Sequence, residues 1–338
     1  MGKEVKIPEQ ENSIAALIDR AVESGRENPR PHLGASLLGH PCDRWLWLTF
    51  RWAVIEQFPG RILRLFARGQ REEENLMQLL RGIGIDFAPL TSQARVDFGA
   101  HVSGSVDGII LGGVPEAPKK KHIAEFKTHS LKSFNDVSSK GVKESKPMHW
   151  CQMQLYMHGT SIDRALYVAI CKDDDRIYTE RVRYDKDAAE ALVARGRRIT
   201  LSDRLLEPLS ADPTWYECKF CAAHNFCHSS HCTKEINCRT CAHSTALENS
   251  TWTCALYDNA EIPLEAQRTG CDCHVLHPDL VPWKVLPSED GKTALYEING
   301  MKFRNGEGDV HVYDSRELLS MQGIVSREEK GEDVLLPF

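Results

Sequence analysis

The chain has 338 residues, 41% of them apolar, and a formal net charge of −6. That is enough for one large core and one or two small modules, while the acidic balance excludes a generally basic nucleic-acid coat, so any contact with a polyanion has to be local. No apolar run reaches the ~20 residues of a membrane span, and the start, MGKEVKIPEQENS, has no signal-peptide core; a cytoplasmic protein without membrane segments is expected.

In chain order, NSIAALIDRAVESG (12–25) predicts a helix that Asn12 can cap, with Ile14, Leu17, Ile18 and Ala21 in one stripe. LGASLLGHPCDRWLWLTFRW follows, with a break at His40-Pro41. A long helix is expected from about Arg61 to Arg81, its apolar stripe reading Ile62, Phe66, Gly69, Leu76 and Leu80. Glu73 falls on that stripe one turn after Gly69, whereas Glu72 and Glu74 flank it and are expected in solvent. A carboxylate on a buried stripe needs a partner. From 94 to 185 the period shortens to two. ARVDFGAHVSGSVDGIILGG predicts paired strands and KHIAEFKTHS a short strand. MHWCQMQLYMHG predicts a helix with His149, Gln152 and Tyr156 on one face, and RALYVAICKDDDRIYTERVRY a hairpin turned at Asp173-Asp174-Asp175. DKDAAEALVARGRRITLSDRLLE predicts a helix capped by Asp185 or Asp187. This order is that of an α/β fold with a mixed central sheet flanked by helices. Beyond about 213, cysteines replace periodicity until 273, and 284–338 reads as a polar β-rich tail turned at Asn299-Gly300.

The chemistry concentrates in three acidic residues and one lysine. In GSVDG, Asp107 sits on a strand just before a glycine; in AEFKTH, Glu125 and Lys127 share a strand face while Phe126 points to the other. Two carboxylates on neighbouring strands, with the Phe126 carbonyl as a third hard oxygen, suit Mg²⁺ or Mn²⁺. A metal there lowers the pKa of bound water, Lys127 can orient or deprotonate that water, and Glu73, brought in from its helix, can complete the set directly or through water.

The combination of a helix-borne Glu, strand Asp-Gly, strand E-x-K and a helix with Q-x3-Y resembles the PD-(D/E)XK nuclease superfamily, in its RecB-like and lambda-exonuclease-like branches, over about residues 34–230. GQREE (Gly69 to Glu73) resembles its G-x3-E motif, SVDG its motif Asp with Val106 in place of the Pro, EFK its (D/E)-x-K, and QMQLY (Gln152 to Tyr156) its Q-x3-Y. The resemblance implies a restriction-endonuclease-like core. It also implies metal-dependent phosphodiester hydrolysis carried by Glu73, Asp107, Glu125 and Lys127, and Gln152 and Tyr156 near the DNA.

Of the twelve cysteines, Cys151 and Cys171 lie in apolar segments and are expected in the core; ten others are Cys42 and the nine from Cys218 to Cys273. Without a secretion signal, clustered CxxC pairs point to metal rather than disulfides. Cys218, Cys221 and Cys227 are spaced C-x2-C-x5-C and lack a fourth ligand. Zinc with Cys232, His224, His228 or His231 is one completion. The other comes from the family resemblance: RecB-like nucleases of the AddB and CRISPR-associated types hold a [4Fe–4S] cluster with one Cys before the core and three after it, which here are Cys42, Cys218, Cys221 and Cys227. In that pattern Arg44 matches the C-x-R feature and would approach a DNA phosphate. Downstream, Cys238, Cys241, Cys254 and Cys271 form a zinc-ribbon-like set for structural Zn²⁺, with Trp252 as a cover and Cys232, Cys273, His274 and His277 as spares.

The expected organisation is a nuclease domain over 1–230, a Cys-rich zinc module over 231–283 and a small β tail over 284–338. The expected activity is a Mg²⁺- or Mn²⁺-dependent deoxyribonuclease, an exonuclease on linear or single-stranded DNA ends in phage or mobile-element recombination, replication or turnover, with a recombination or annealing protein as partner. DNA would enter a local basic cleft drawn from Arg44, Arg51, Arg61, Arg64, Arg68 and Lys119 to Lys121. The rivals are a non-catalytic DNA-binding or recombination-accessory protein on a nuclease fold, and an interaction protein working through the Cys-rich tail.

Overall fold

The computed structural model describes residues 13–25, 27–89, 95–288, 290–308 and 311–324. Asn12 lies outside them; Ser13 caps the first helix, its hydroxyl accepting from Ala16 N at 3.2 Å. The chain divides into two compact units, each assembled from separated stretches: Met1–Pro29, Glu56–Val96 and Gly104–Glu190 in the first, Arg30–Ile55, Asp97–Ser103 and Ala191–Phe338 in the second. The expected boundaries at 230 and 283 are not where packing divides the chain. Among the described residues no helix is long and apolar enough to cross a membrane.

The first unit is built on HIAEFKTH. Its run of β-branched and aromatic residues favours a strand, His122–His129, buried along most of its length. It pairs antiparallel with Gly108–Ile110 and parallel with Arg164–Cys171, which in turn pairs antiparallel with Ile177–Arg183. The result is a mixed sheet, as expected, of four strands. The parallel step requires a crossover, and helices Leu131–Lys140, Val142–Ser145 and Pro147–Thr160 supply it. The Arg164–Arg183 hairpin turns through the Asp triplet, where Asp175 takes φ +59°. Ala124, Phe126, Leu166, Val168 and Ile170 pack on one face of the sheet against Leu76 of the long helix Gly60–Gly82. Gln154, fully buried, ties helix Pro147–Thr160 to the sheet: its amide nitrogen donates to Arg183 O at 3.0 Å and its oxygen accepts from Asp185 N at 2.7 Å.

The long helix is less buried than its stripe predicts. Leu76 is 2% exposed, but Phe66 is 48% exposed. Its first half leans on helix Ile14–Ser24 rather than on the sheet: Phe66 meets Phe58 edge-on, Arg64 pairs with Asp19, and the Glu23 carboxylate accepts from Gly60 N at 2.6 Å, where an anion suits a helix start. Gly60 is required there, since an added Cβ would fall 2.6 Å from the Asp19 backbone. Gly69 is not: an added Cβ would only reach Thr128 Oγ1 at 3.9 Å.

In the second unit, Cys42 caps helix Asp43–Phe50, accepting from Trp45 N at 3.4 Å, and Arg195 and Arg198 pair with Asp43. Two arginines are fully buried. Arg51 lies over Trp47 and Trp252; Arg239 lies 3.7 Å from the centroid of Trp52 and donates to Gln267, Phe50 O and Pro31 O. The expected tail is no appendage, because Cys232 and Leu276 share one core with Tyr296, Phe303 and Leu318. Strands Ala294–Ile298 and Met301–Asn305 do turn at Asn299-Gly300, both with positive φ, as a two-residue hairpin of this kind demands.

Candidate active site

Asp107 immediately precedes the strand Gly108–Ile110, and Gly108 lets Phe87 close over that strand: an added Cβ would stand 3.0 Å from the Phe87 ring. Asp107 reaches across to the neighbouring strand, where its Oδ2 accepts from Phe126 N at 2.9 Å. Glu125 and Lys127 emerge on one strand face, as the period of two requires. The Lys127 ammonium donates to Glu125 Oε1 and, at 3.0 Å, to Phe126 O. Glu125 is 0% exposed, and its other oxygen, Oε2, is buried with no hydrogen-bond partner. Glu73 joins from the long helix: it lines a hollow of about 500 Å³ together with Lys127 and lies within the field of Asp107 and Lys127. All four residues expected to carry chemistry are therefore brought together.

Their electrostatics show an unbalanced site. Burial, then repulsion from Asp107, pushes Glu73 up to about 7 against the pull of Lys127. Burial raises Asp107 too, opposed by Lys127 and the Phe126 amide. Glu125 rises to about 8, because burial and its two carboxylate neighbours outweigh its ammonium partner, while Lys127 is raised by Glu125 and Asp107 despite its own burial. One ammonium thus faces three carboxylates, and a buried carboxylate oxygen is left unsatisfied.

Gln152 and Tyr156 lie on helix Pro147–Thr160, both buried, with Gln152 Nε2 and the Tyr156 hydroxyl 3.5 Å apart. Burial and the Glu125 charge raise the Tyr156 phenol to about 12. His149, on the same helix, belongs to a cluster with two residues to which the sequence gave no role, Tyr167 and His129. Tyr167, opposite Glu125 in the sheet register, meets His129 Nε2 at 2.7 Å and His149 Nδ1 at 3.0 Å through its hydroxyl. His129 sits two residues beyond Lys127, so the same period that paired Glu125 with Lys127 carries it.

The expected basic cleft is only partly open. Arg44 is turned inward, its Nε donating to Leu206 O at 2.6 Å and its guanidinium bonding Cys227. Arg51 is 1% exposed and tied to Arg239 O and Asp203. Fixed acceptors inside explain why both leave the surface role expected of them, since these bonds offset the desolvation cost of each guanidinium. In the first unit Arg64 pairs with Asp19, Lys120 with Asp163, and Arg68 donates to Lys172 O at 3.2 Å; Arg61, Lys119 and Lys121 are exposed.

The thiols of the second unit gather into two groups. Cys42, far upstream, lies within the electrostatic reach of Cys218, Cys221 and Cys227; burial, reinforced by Cys42, raises Cys218, and burial drives Cys221 to about 11. Cys221 accepts from Ala223 N at 3.4 Å. Cys238, Cys241, Cys254 and Cys271 likewise feel one another; burial and that repulsion push Cys238 to about 12, and Cys241 accepts from Val275 N at 3.4 Å. Among the described residues, however, no three His, Cys, Asp or Glu side chains stand as a group that could hold a metal ion as placed. The spares are otherwise engaged. Cys232 is in the apolar core, Cys273 bonds Glu307, His274 bonds Ser315 and Thr240, His277 bonds Asp203 O, and His224 bonds Cys218 O. Trp252 packs on Phe50 and His101.

The chain matches no protein-family model and no curated protein. It is similar to solved structures at low identity. A protein designated SSO0001 aligns over 64% of this chain and 98% of its own, at 17% identity and TM-score 0.41. The alkaline exonuclease LHK-Exo from Laribacter hongkongensis aligns over 54% and 89%, at 14% and 0.33. A phage-related exonuclease from Haemophilus somnus 129PT aligns over 40% and 70%, at 20% and 0.29. With every TM-score under 0.5, the function of this chain rests on its own residues.

Proposed function

We propose that the chain is a divalent-metal-dependent deoxyribonuclease, an exonuclease that hydrolyses phosphodiester bonds of linear or single-stranded DNA. The observation that carries the reading is the buried, unpartnered Glu125 Oε2 beside Asp107, with Glu73 and Lys127 sharing the hollow. Such an oxygen is stabilised by a hard cation. Asp107 and Glu125 would hold Mg²⁺ or Mn²⁺, with Glu73 directly or through water. Mg²⁺ keeps several waters and needs only one or two carboxylates, so the lack of a closed three-residue set does not count against it. When bound, the ion supplies Lewis acidity and a more acidic water. The Phe126 carbonyl already accepts from Lys127, which anchors that ammonium beside the carboxylates. Lys127 orients the attacking water and offsets charge on the phosphoryl oxygens. Gln152 and Tyr156 position the strand.

The thiols extend the proposal. Cys42, Cys218, Cys221 and Cys227 would hold a [4Fe–4S] cluster, and Cys238, Cys241, Cys254 and Cys271 a structural Zn²⁺. The chemistry fits: four thiols lie in each group, several accept backbone N–H bonds, and burial with mutual repulsion keeps them protonated unless a bound cation stabilises the thiolates. Phage or mobile-element DNA processing beside an annealing protein is the setting that the motif resemblance implies.

The test is cleavage of end-labelled linear DNA and covalently closed circular DNA with Mg²⁺, Mn²⁺ or neither. Metal-dependent release of nucleotides from the linear substrate alone supports the proposal; cutting of the circle makes the enzyme an endonuclease. No cleavage of either, with DNA bound, favours the non-catalytic reading.

A further inference from the structure

The hollow beside Glu73 and Lys127 does not end at them. It runs on to Ser133 and Lys146, and these two residues also line a second, more open polar hollow of about 610 Å³ flanking helix Leu131–Lys140. The junction is built. The Lys146 side chain, 18% exposed, donates to Ser145 Oγ at 2.8 Å, Ser145 O at 3.1 Å and Asp136 Oδ2 at 3.4 Å. Asp136 is not its alone: the same carboxylate accepts from Lys140 at 2.8 Å and from Ser145 Oγ. One carboxylate shared by two ammonium groups leaves positive charge in excess.

The other wall of the junction carries His129 and His149, which share the Tyr167 hydroxyl. The Tyr167 hydroxyl has one proton, so it donates to one of His129 and His149 and accepts from the other. The ring that accepts the Tyr167 proton is therefore neutral. Burial, together with Lys127 and Lys146, holds His129 near 4 and His149 near 3, with no carboxylate pulling either back up. The Ser133 hydroxyl meets His129 Nδ1 at 3.1 Å. Thus one hollow, walled in part by Leu65, Phe66, Leu76 and Phe126, carries both Glu73, which lies in the field of Asp107, and the Lys146 ammonium with the Ser133 hydroxyl, groups that suit an anion. Lys132, exposed and without an ion pair among the described residues, lines the outer hollow beyond.

Resting on the nuclease reading above, we propose that Lys146 and Ser133 form a phosphate-binding subsite that holds a phosphodiester group of the same strand next to the one being cut. Lys132 lies on the onward path of that strand. The subsite uses none of the basic residues that the sequence singled out.

Two measurements test it. The first is anisotropy of a labelled single-stranded oligonucleotide over a salt series without added divalent cation. Lys146→Gln is expected to weaken binding and to lower the slope of log K against log salt by about 0.7, the value of one lost single-strand phosphate contact. Lys146→Arg is expected to keep the slope. The second is cleavage of DNA carrying one neutral methylphosphonate beside the scissile linkage. Loss of a charged hydrogen bond should slow the unsubstituted protein about tenfold or more, while Lys146→Gln loses little further. An unchanged slope in Lys146→Gln, or unsubstituted protein indifferent to the methylphosphonate, overturns the subsite. Unsubstituted protein that neither binds nor cuts DNA overturns the nuclease reading itself.

Discussion

Replacing Glu125 by Gln separates the stability of the site from its activity. In the metal-free fold Glu125 keeps its proton up to about 8, whereas in the unfolded chain it loses it near the ordinary value of 4.5. The folded state then holds a proton that the unfolded state has released. Stability from this group is complete below about pH 4.5 and is lost as pH rises toward 8. At about 1.4 kcal/mol per pH unit, tailing as Glu125 ionises, about 1.5 kcal/mol should disappear between pH 6.5 and 8. Glu73, held near 7, falls in the lower part of the same window and adds to the loss, whereas the neutral histidines His129 and His149 act mainly below it, and Lys127, raised from an already high value, acts above it. Urea unfolding of the chelator-treated protein at the two pH values should show the loss. Glu125→Gln cannot ionise and should shrink the fall to the part that Glu73 contributes while abolishing cleavage, and saturating Mg²⁺ should flatten it in the unsubstituted protein. A wild-type stability that holds or rises from pH 6.5 to 8, or a Gln variant with the same fall, would refute the picture of a carboxylate buried in want of a cation.

Lys127→Met should reduce cleavage by about 10²–10⁴-fold while leaving metal-linked stabilisation in place, as seen by single-turnover kinetics alongside thermal melts with and without Mg²⁺. Cys42→Ser should remove iron and sulfide but retain zinc, and Cys238→Ser should do the reverse; elemental analysis of anaerobically purified protein reads both, and a common loss would mean that the two thiol groups are one site. Gly108→Ala should lower stability by about 1–3 kcal/mol, because its Cβ would press on Phe87 in a packed core; an unchanged denaturation midpoint would show that the ring can yield.

The gathering of Glu73, Asp107, Glu125 and Lys127 in the first unit was legible because the patterns behind it are local. Asp-Gly, E-x-K and Q-x3-Y each fit within a few residues, and a strand period of two decides which side chains share a face. Glu73 could be singled out because a carboxylate on an apolar stripe contradicts its neighbours. The Tyr167–His129–His149 contacts were not legible, since they need the parallel register that sets Tyr167 opposite Glu125, and nothing local specifies it. Lys146 looked like one more surface lysine. The arginines failed for a related reason: sequence cannot tell a guanidinium in solvent from one capped by carbonyls, and Arg44 and Arg51 are of the second kind. The division of the chain was misjudged because cysteine density marks composition, whereas Arg30–Ile55 packs with Ala191–Phe338.

That last feature bears on synthesis. The Arg239 guanidinium is held by the carbonyls of Pro31 and Phe50, residues that leave the ribosome some two hundred positions earlier. Until the distal half is translated, Phe50 and Trp52 lack the Arg239 guanidinium that stacks on both, and they wait as an apolar segment for chaperones to shield. Cutting the gene after position 230 would therefore yield an aggregating polypeptide rather than a shorter folded protein.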